Sequence, residues 1–105
     1  MNESNNKRMV RECFSNFPES SITMDCIKWD YKKFVFIFVD EDDQRHIVTI
    51  NKALKGLRLM KEAVKKGQLR GLSLGMNWEY DSADWDGQCF DVLAQYSIFG
   101  EVVYG

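Results

Sequence analysis

Apolar residues recur along the chain at helical spacing in some stretches and at strand spacing in others. In residues 6–17, Met9, Val10, Cys13, Phe14 and Phe17 fall on one helical face, and Lys7, Arg8, Arg11 and Glu12 on the other. Asn5 or Asn6 can cap this helix. Pro18 stops it, because the residue before a proline resists the α region. Residues 21–31 alternate in two phases, first Ile22, Met24 and Cys26, then Ile27, Trp29 and Tyr31. A phase change inside one strand predicts a β-bulge at Cys26–Ile27. After Lys33 the run Phe34–Val39 is apolar throughout, which predicts a central strand with both faces covered. The connection Asp30–Lys33 is short enough for a hairpin, Asp40–Gln44 is a polar turn, and residues 45–50 return as a third strand. Residues 21–50 therefore read as an antiparallel meander.

Asn51 is placed to cap a helix over 52–66, where Ala53, Leu57, Met60 and Val64 trace the apolar face around an internal Gly56. Gly67 stands where a helix-ending glycine belongs. In residues 72–80, Leu72, Leu74, Met76, Trp78 and Tyr80 alternate strictly with Ser73, Gly75, Asn77 and Glu79, which predicts a half-buried fourth strand. Residues 84–99 fit two periods. Phe90, Val92, Ala94, Tyr96 and Ile98 alternate, whereas Cys89, Val92, Leu93, Tyr96 and Phe99 match a helix. The helix is preferred, because Leu93 and Phe99 would lie on the polar side of the strand. Asp84 or Ser82 would cap it, Gly100 would end it, and an extended tail Glu101–Tyr104 would follow. The order α-β-β-β-α-β-α describes one α+β domain over residues 1–105, with a mainly antiparallel sheet packed with helices.

Composition narrows the class. Apolar residues are 45% and charged residues 29% of the 105, too balanced for a disordered chain. The longest apolar run is the six residues from Phe34 to Val39, well short of the roughly 20 a bilayer requires. The N-terminus MNESNNKRMV has no apolar stretch of the secretory kind. Cys13, Cys26 and Cys89 are odd in number and form no C-x-x-C pair, which points to reduced thiols in a cytoplasm. Together with His46 they could supply four zinc ligands, but no two are locally paired, so no metal is expected. No P-loop or G-x-G-x-x-G occurs, so no cofactor is expected either.

Charge is more informative in its distribution than in its total of −2. Residues 51–70 carry seven bases and one acid, while residues 71–105 carry six acids and no base. A solvated helix face accounts for the basic stretch. Nucleic acid is not expected as its ligand, because no aromatic residue is interleaved and the isoelectric point is 5.4.

The acidic stretch opens with Trp78, Glu79, Tyr80, Asp81, Asp84, Trp85 and Asp86. Tryptophan and tyrosine anchor binding hot spots, and an acidic rim steers a basic partner. The leading expectation is a small non-catalytic binding protein that presents 78–86 to a protein with a basic surface, as inhibitors and immunity-type proteins do. The competing structural reading makes Trp78 and Tyr80 core residues and Trp85 a helix-entry staple. Two other functions are carried forward. One is self-association through the opposite charged segments. The other is a pocket between sheet and helices with Glu79, Asp81 and His46 as its polar groups. A calcium loop ending at Gly87 fails, because Leu93 stands where a bidentate glutamate is needed.

Overall fold

The computed structural model describes residues 3–15, 23–69, 71, 72 and 74–104. Its elements are α1 (Glu3–Phe14), β1 (Asp25–Asp30), β2 (Val35–Val39), β3 (Arg45–Thr49), α2 (Ile50–Lys65) and α3 (Gly87–Phe99). The class is α+β, with an antiparallel sheet in the order β1-β2-β3. The expected helix end at Phe17 and Pro18, and the strand position Ile22, lie outside the described residues.

The meander forms as its pattern requires. The register of β1 on β2 shifts between Cys26 and Lys28, the site of the expected bulge. Strand β2 starts at Val35 because Phe34 has the left-handed φ of 54°. That conformation costs a β-carbon residue about 1 kcal/mol. It is offset by burial, since the Phe34 ring lies 5.2 Å from Phe14 and 5.0 Å from Phe36. Phe14 also meets Phe36 at 5.1 Å and Phe38 at 6.4 Å, so α1 lies on the Phe36–Phe38 side of the sheet.

One core joins that side to the helices. It gathers Met9, Val10 and Phe14 from α1, Phe36, Phe38 and Val48 from the sheet, Leu57 and Met60 from α2, and Leu93 from α3. The expectation of two covered faces for β2 is therefore corrected. Phe36 and Phe38 are buried, but Val35, Ile37 and Val39 are half-buried and Ile47 is 51% exposed. An unbroken apolar run does not reveal whether a second layer exists to cover its other face.

The fourth strand is also corrected. Among the described residues of 72–80 none pairs with a strand; 72, 74 and 75 are irregular and 76–80 form turns. Trp78 N–H donates to Gly75 O (3.2 Å), and Tyr80 and Asp81 N–H both donate to Asn77 O (2.9 Å each). The polar positions of the alternation were turn formers, Gly75 and Asn77, and the apolar ones pack individually. Leu72, Leu74 and Trp78 touch the core, while Met76 is 96% exposed.

All three helix starts differ from expectation. Helix α1 begins at Glu3, so Asn5 and Asn6, expected as its cap, lie inside it. Helix α2 begins at Ile50 directly from the extended Thr49, so Asn51 lies inside it and makes no cap. Its C-terminus follows the glycine rule. Gly67 has φ 73°, its N–H donates to Val64 O (3.0 Å), and Gln68 N–H donates to Ala63 O (2.9 Å). Helix α3 confirms the helical choice for this segment, but its cap is Asp86 and neither Asp84 nor Ser82. Gly100 ends it at φ 77°. Where α2 crosses α3, Gly56 lies directly against the Ser97 backbone.

Candidate functional site

The segment 78–86 is built into the domain by its neighbours. Arg8 of α1 donates to Tyr80 O (2.6 Å), and Lys61 of α2 donates to Glu79 O and to Asn6 Oδ1 (2.9 Å). Two cations thus hold consecutive carbonyls of the 77–81 turn. Lys61 is 9% exposed, and burial pulls its ammonium below the ordinary value of 10.5 while the nearby Glu79 carboxylate raises it. Glu79 itself pairs with Lys65 at 2.9 Å. The basic helix and the acidic segment therefore meet within one monomer at this point.

Each remaining member has a local task or a buried place. Asp81 Oδ1 accepts from Ala83 N–H (3.0 Å), and Asp84 lies over Gly75. Asp86 accepts the Cys89 N–H (3.1 Å), and this bond together with the Cys89 thiol holds its carboxyl below the ordinary 3.8. Trp85 is 5% exposed and Trp78 is half-buried. Only Tyr80 among the three aromatic residues is exposed, at 51%. The acids at 81, 84 and 86 are exposed around it.

The groups proposed for a catalytic pocket are engaged separately. His46 Nε2 lies 2.7 Å from Asp40 Oδ2, Glu79 holds Lys65, and Asp81 caps its own turn. Among the described residues no three His, Cys, Asp or Glu side chains gather to hold a metal ion. Burial pushes the Cys13 thiol up to about 12 and raises that of Cys26. No described helix is long and apolar enough to cross a membrane.

Two features escaped the sequence reading. The first is a groove of about 390 Å3 lined by Thr23, Gln68, Leu72, Asp91, Gln95 and Tyr104. Asp91 accepts from Thr23 N–H (3.1 Å), Thr23 Oγ1 (2.8 Å) and Gln95 Nε2 (2.9 Å). Gln95 Oε1 in turn accepts the N–H groups of Val103 (2.7 Å) and Tyr104 (2.8 Å), which fastens the C-terminal tail. The signal for this network was an Asp and a Gln four residues apart in the middle of a largely apolar helix.

The second is the outer face of the sheet. Val35, Ile37 and Val39 alternate with the buried Phe36 and Phe38, and Ile47 stands beside Ile37 in register. Lys28 is paired with Ile37 on the other side. A shallow depression of about 200 Å3 at Lys28, Asp30, Val35 and Ile37 marks this surface, while Trp29 is in register with the buried Phe36 of the opposite face. Comparisons with protein-family models, curated proteins and solved structures find no match.

Proposed function

We propose that the chain is a small binding protein that acts through a protein–protein contact on the outer face of its sheet and performs no chemistry of its own. The partner it fits presents aliphatic side chains on a sheet surface, bordered by charges of both signs. The observation that supports this is the row Val35, Ile37 and Val39 with Ile47 alongside, left open by the single helical layer. Contiguous apolar surface of this kind marks interaction sites in soluble domains. A rim of charge supplies orientation and steering.

A second reading keeps the contact on 78–86 with a basic partner. It is favoured by the half-exposed Tyr80 and the exposed Asp81 and Asp84. In this reading Trp85 is a supporting residue, because its indole is inside the fold.

The two readings separate in one experiment. A partner recovered by affinity capture is tested against Ile37→Lys/Ile47→Lys and against Tyr80→Ala/Asp84→Lys, each first shown to be folded by circular dichroism. Loss of binding with the sheet variant alone supports the first reading. Loss with the Tyr80 variant alone transfers the function to 78–86.

A further inference from the structure

We infer that the chain pairs with a second copy of itself through the free edge of β1. The two β1 strands run antiparallel about a two-fold axis at Trp29 and join two three-stranded sheets into one. This contact is separate from the one proposed on the outer face. It rests on the main chain, the exposed apolar residues and the charges of a single edge.

The two edges of the sheet are finished differently. The bond from Asp40 N–H to Gln44 O (3.0 Å) sets the alternation of the ladders. Phe36 and Phe38 turn their main-chain groups to β3, while Val35 and Ile37 turn theirs to Asp30 and Lys28 of β1. By the same alternation Ile47 and Trp29 point their main-chain groups away from the sheet, one at each edge. At the β3 edge the Lys52 ammonium, from the first turn of α2, donates to Ile47 O (3.0 Å). A lysine laid on an edge opposes its pairing with another strand. At the β1 edge no described group outside the sheet bonds to the Trp29 main chain.

On the helix side this edge is apolar. Ile27, Trp29 and Tyr31 are 47%, 51% and 44% exposed. Trp29 is in register with Phe36, and Ile27 and Tyr31 follow it in phase. Tyr31 is held in place by its Oη, which donates to Arg11 O (3.2 Å). The other side of the edge carries Lys28 and Asp30, both exposed and without an ion pair among the described residues.

Charge selects the register. Trp29 must bond to an outward residue of the second copy, which is Ile27, Trp29 or Tyr31. Pairing with Ile27 sets Lys28 against Lys28 on the axis, and pairing with Tyr31 sets Asp30 against Asp30. Pairing Trp29 with Trp29 exchanges two N–H···O bonds and sets Lys28 of each copy opposite Asp30 of the other. Those positions are not hydrogen-bonded to each other, and there the strands bring opposed Cα atoms to about 4.5 Å. Opposite charges so placed stabilise the pair, and like charges destabilise it. The same register lays Ile27, Trp29 and Tyr31 of one copy along Tyr31, Trp29 and Ile27 of the other as one apolar strip. Such an isologous contact is the commonest form of soluble oligomer.

Area sets the strength. A half-exposed aromatic side chain has about 100 Å2 left to bury. The three residues therefore supply roughly 300 Å2 per copy, against about 800 Å2 in a standard interface. Lys28, Asp30 and the edge main chain add to this, and the dimer belongs to the weak class that forms at high protein concentration. In it the rows Val35, Ile37 and Val39 of both copies lie on one continuous sheet surface.

Sedimentation velocity of the full chain under reducing conditions, from about 1 to about 500 μM, reads the equilibrium, with circular dichroism confirming that each variant is folded. Dimerisation is expected in the upper part of this range. Over the same range hydrogen exchange at the Trp29 amide should slow, while the Lys28 and Asp30 amides, already bonded to β2, keep their rates. Lys28→Asp and Asp30→Lys should each be monomeric. The double variant Lys28→Asp/Asp30→Lys should dimerise again, as should an equimolar mixture of the two single variants. Ile47→Lys should leave the dimer intact. A chain that stays monomeric throughout, with Trp29 exchange independent of concentration, overturns the inference. A dimer indifferent to both single variants, or a double variant that stays monomeric, overturns the Trp29 register. Loss of the dimer with Ile47→Lys moves the contact to the outer face and overturns the edge pairing.

Discussion

Replacing Gly56 with alanine tests the packing of α2 on α3. In an exposed helix interior the exchange would stabilise by about 1 kcal/mol, because glycine has the larger conformational entropy to lose. Here the new Cβ would lie 2.5 Å from Ser97 Oγ, 2.6 Å from Ser97 N and 2.7 Å from Ser97 Cα. Carbon contacts normally begin near 3.4 Å, so the helices must separate by most of an ångström. A gap of about 0.5–1 Å already forfeits a quarter to a half of each dispersion contact across the seam. Overpacking of this kind costs about 1–3 kcal/mol, more where the obstacle is backbone. The loss exceeds the propensity gain, and Gly56→Ala should destabilise by about 1–2 kcal/mol net. Urea unfolding followed by circular dichroism measures it as a lower midpoint at unchanged slope. Ser97→Ala in the same chain should not rescue the variant, since Ser97 N and Cα remain. A Gly56→Ala protein more stable than the parent would refute the reasoning, and rescue by Ser97→Ala would transfer the clash to the side chain.

Other expectations follow from the polar contacts. Gln95→Ala should cost about 1–3 kcal/mol and free the tail, visible as faster hydrogen exchange at the Val103 and Tyr104 amides; unchanged protection there would count against the Gln95 clasp. In the folded protein Cys26 should react first with a thiol reagent near neutral pH, and the buried Cys13 and Cys89 only on unfolding; prompt reaction of all three would contradict the burial. The carboxyls of Asp40, bonded by His46, and of Asp86 lie below their ordinary 3.8. Their contribution to stability is therefore complete above that value and is lost as pH falls through their lowered native values. Asp40→Asn should flatten the acid limb of the stability curve, and an unaltered limb would remove Asp40 from the account.

The meander, its bulge and all three helices were legible in the sequence because each follows a single local rule of period or phase. The strand expected at 72–80 failed because period two describes which residues face the core and says nothing about whether a neighbouring edge is available. Leu72, Leu74 and Trp78 do reach the core, the first two from irregular backbone and Trp78 from a turn. The surroundings of the segment 78–86 were hidden for a related reason. Glu79 and Tyr80 are engaged by Lys61, Lys65 and Arg8, which arrive from distant parts of the chain. The open face of β2 was hidden in the same way. Its residues 35, 37 and 39 are as apolar as a doubly covered strand, and only the count of layers in three dimensions distinguishes the two.

Arg8 and Lys61 grip the 78–81 turn by main-chain oxygens and leave its side chains out of the bargain. A carbonyl is the same whatever residue carries it. The position of Tyr80 is consequently open to mutational drift, whereas Asp81 is kept by its bond from Ala83 N–H. Lineages of this fold can change the chemistry displayed there while the turn keeps its place, provided the arginine and the lysine stay.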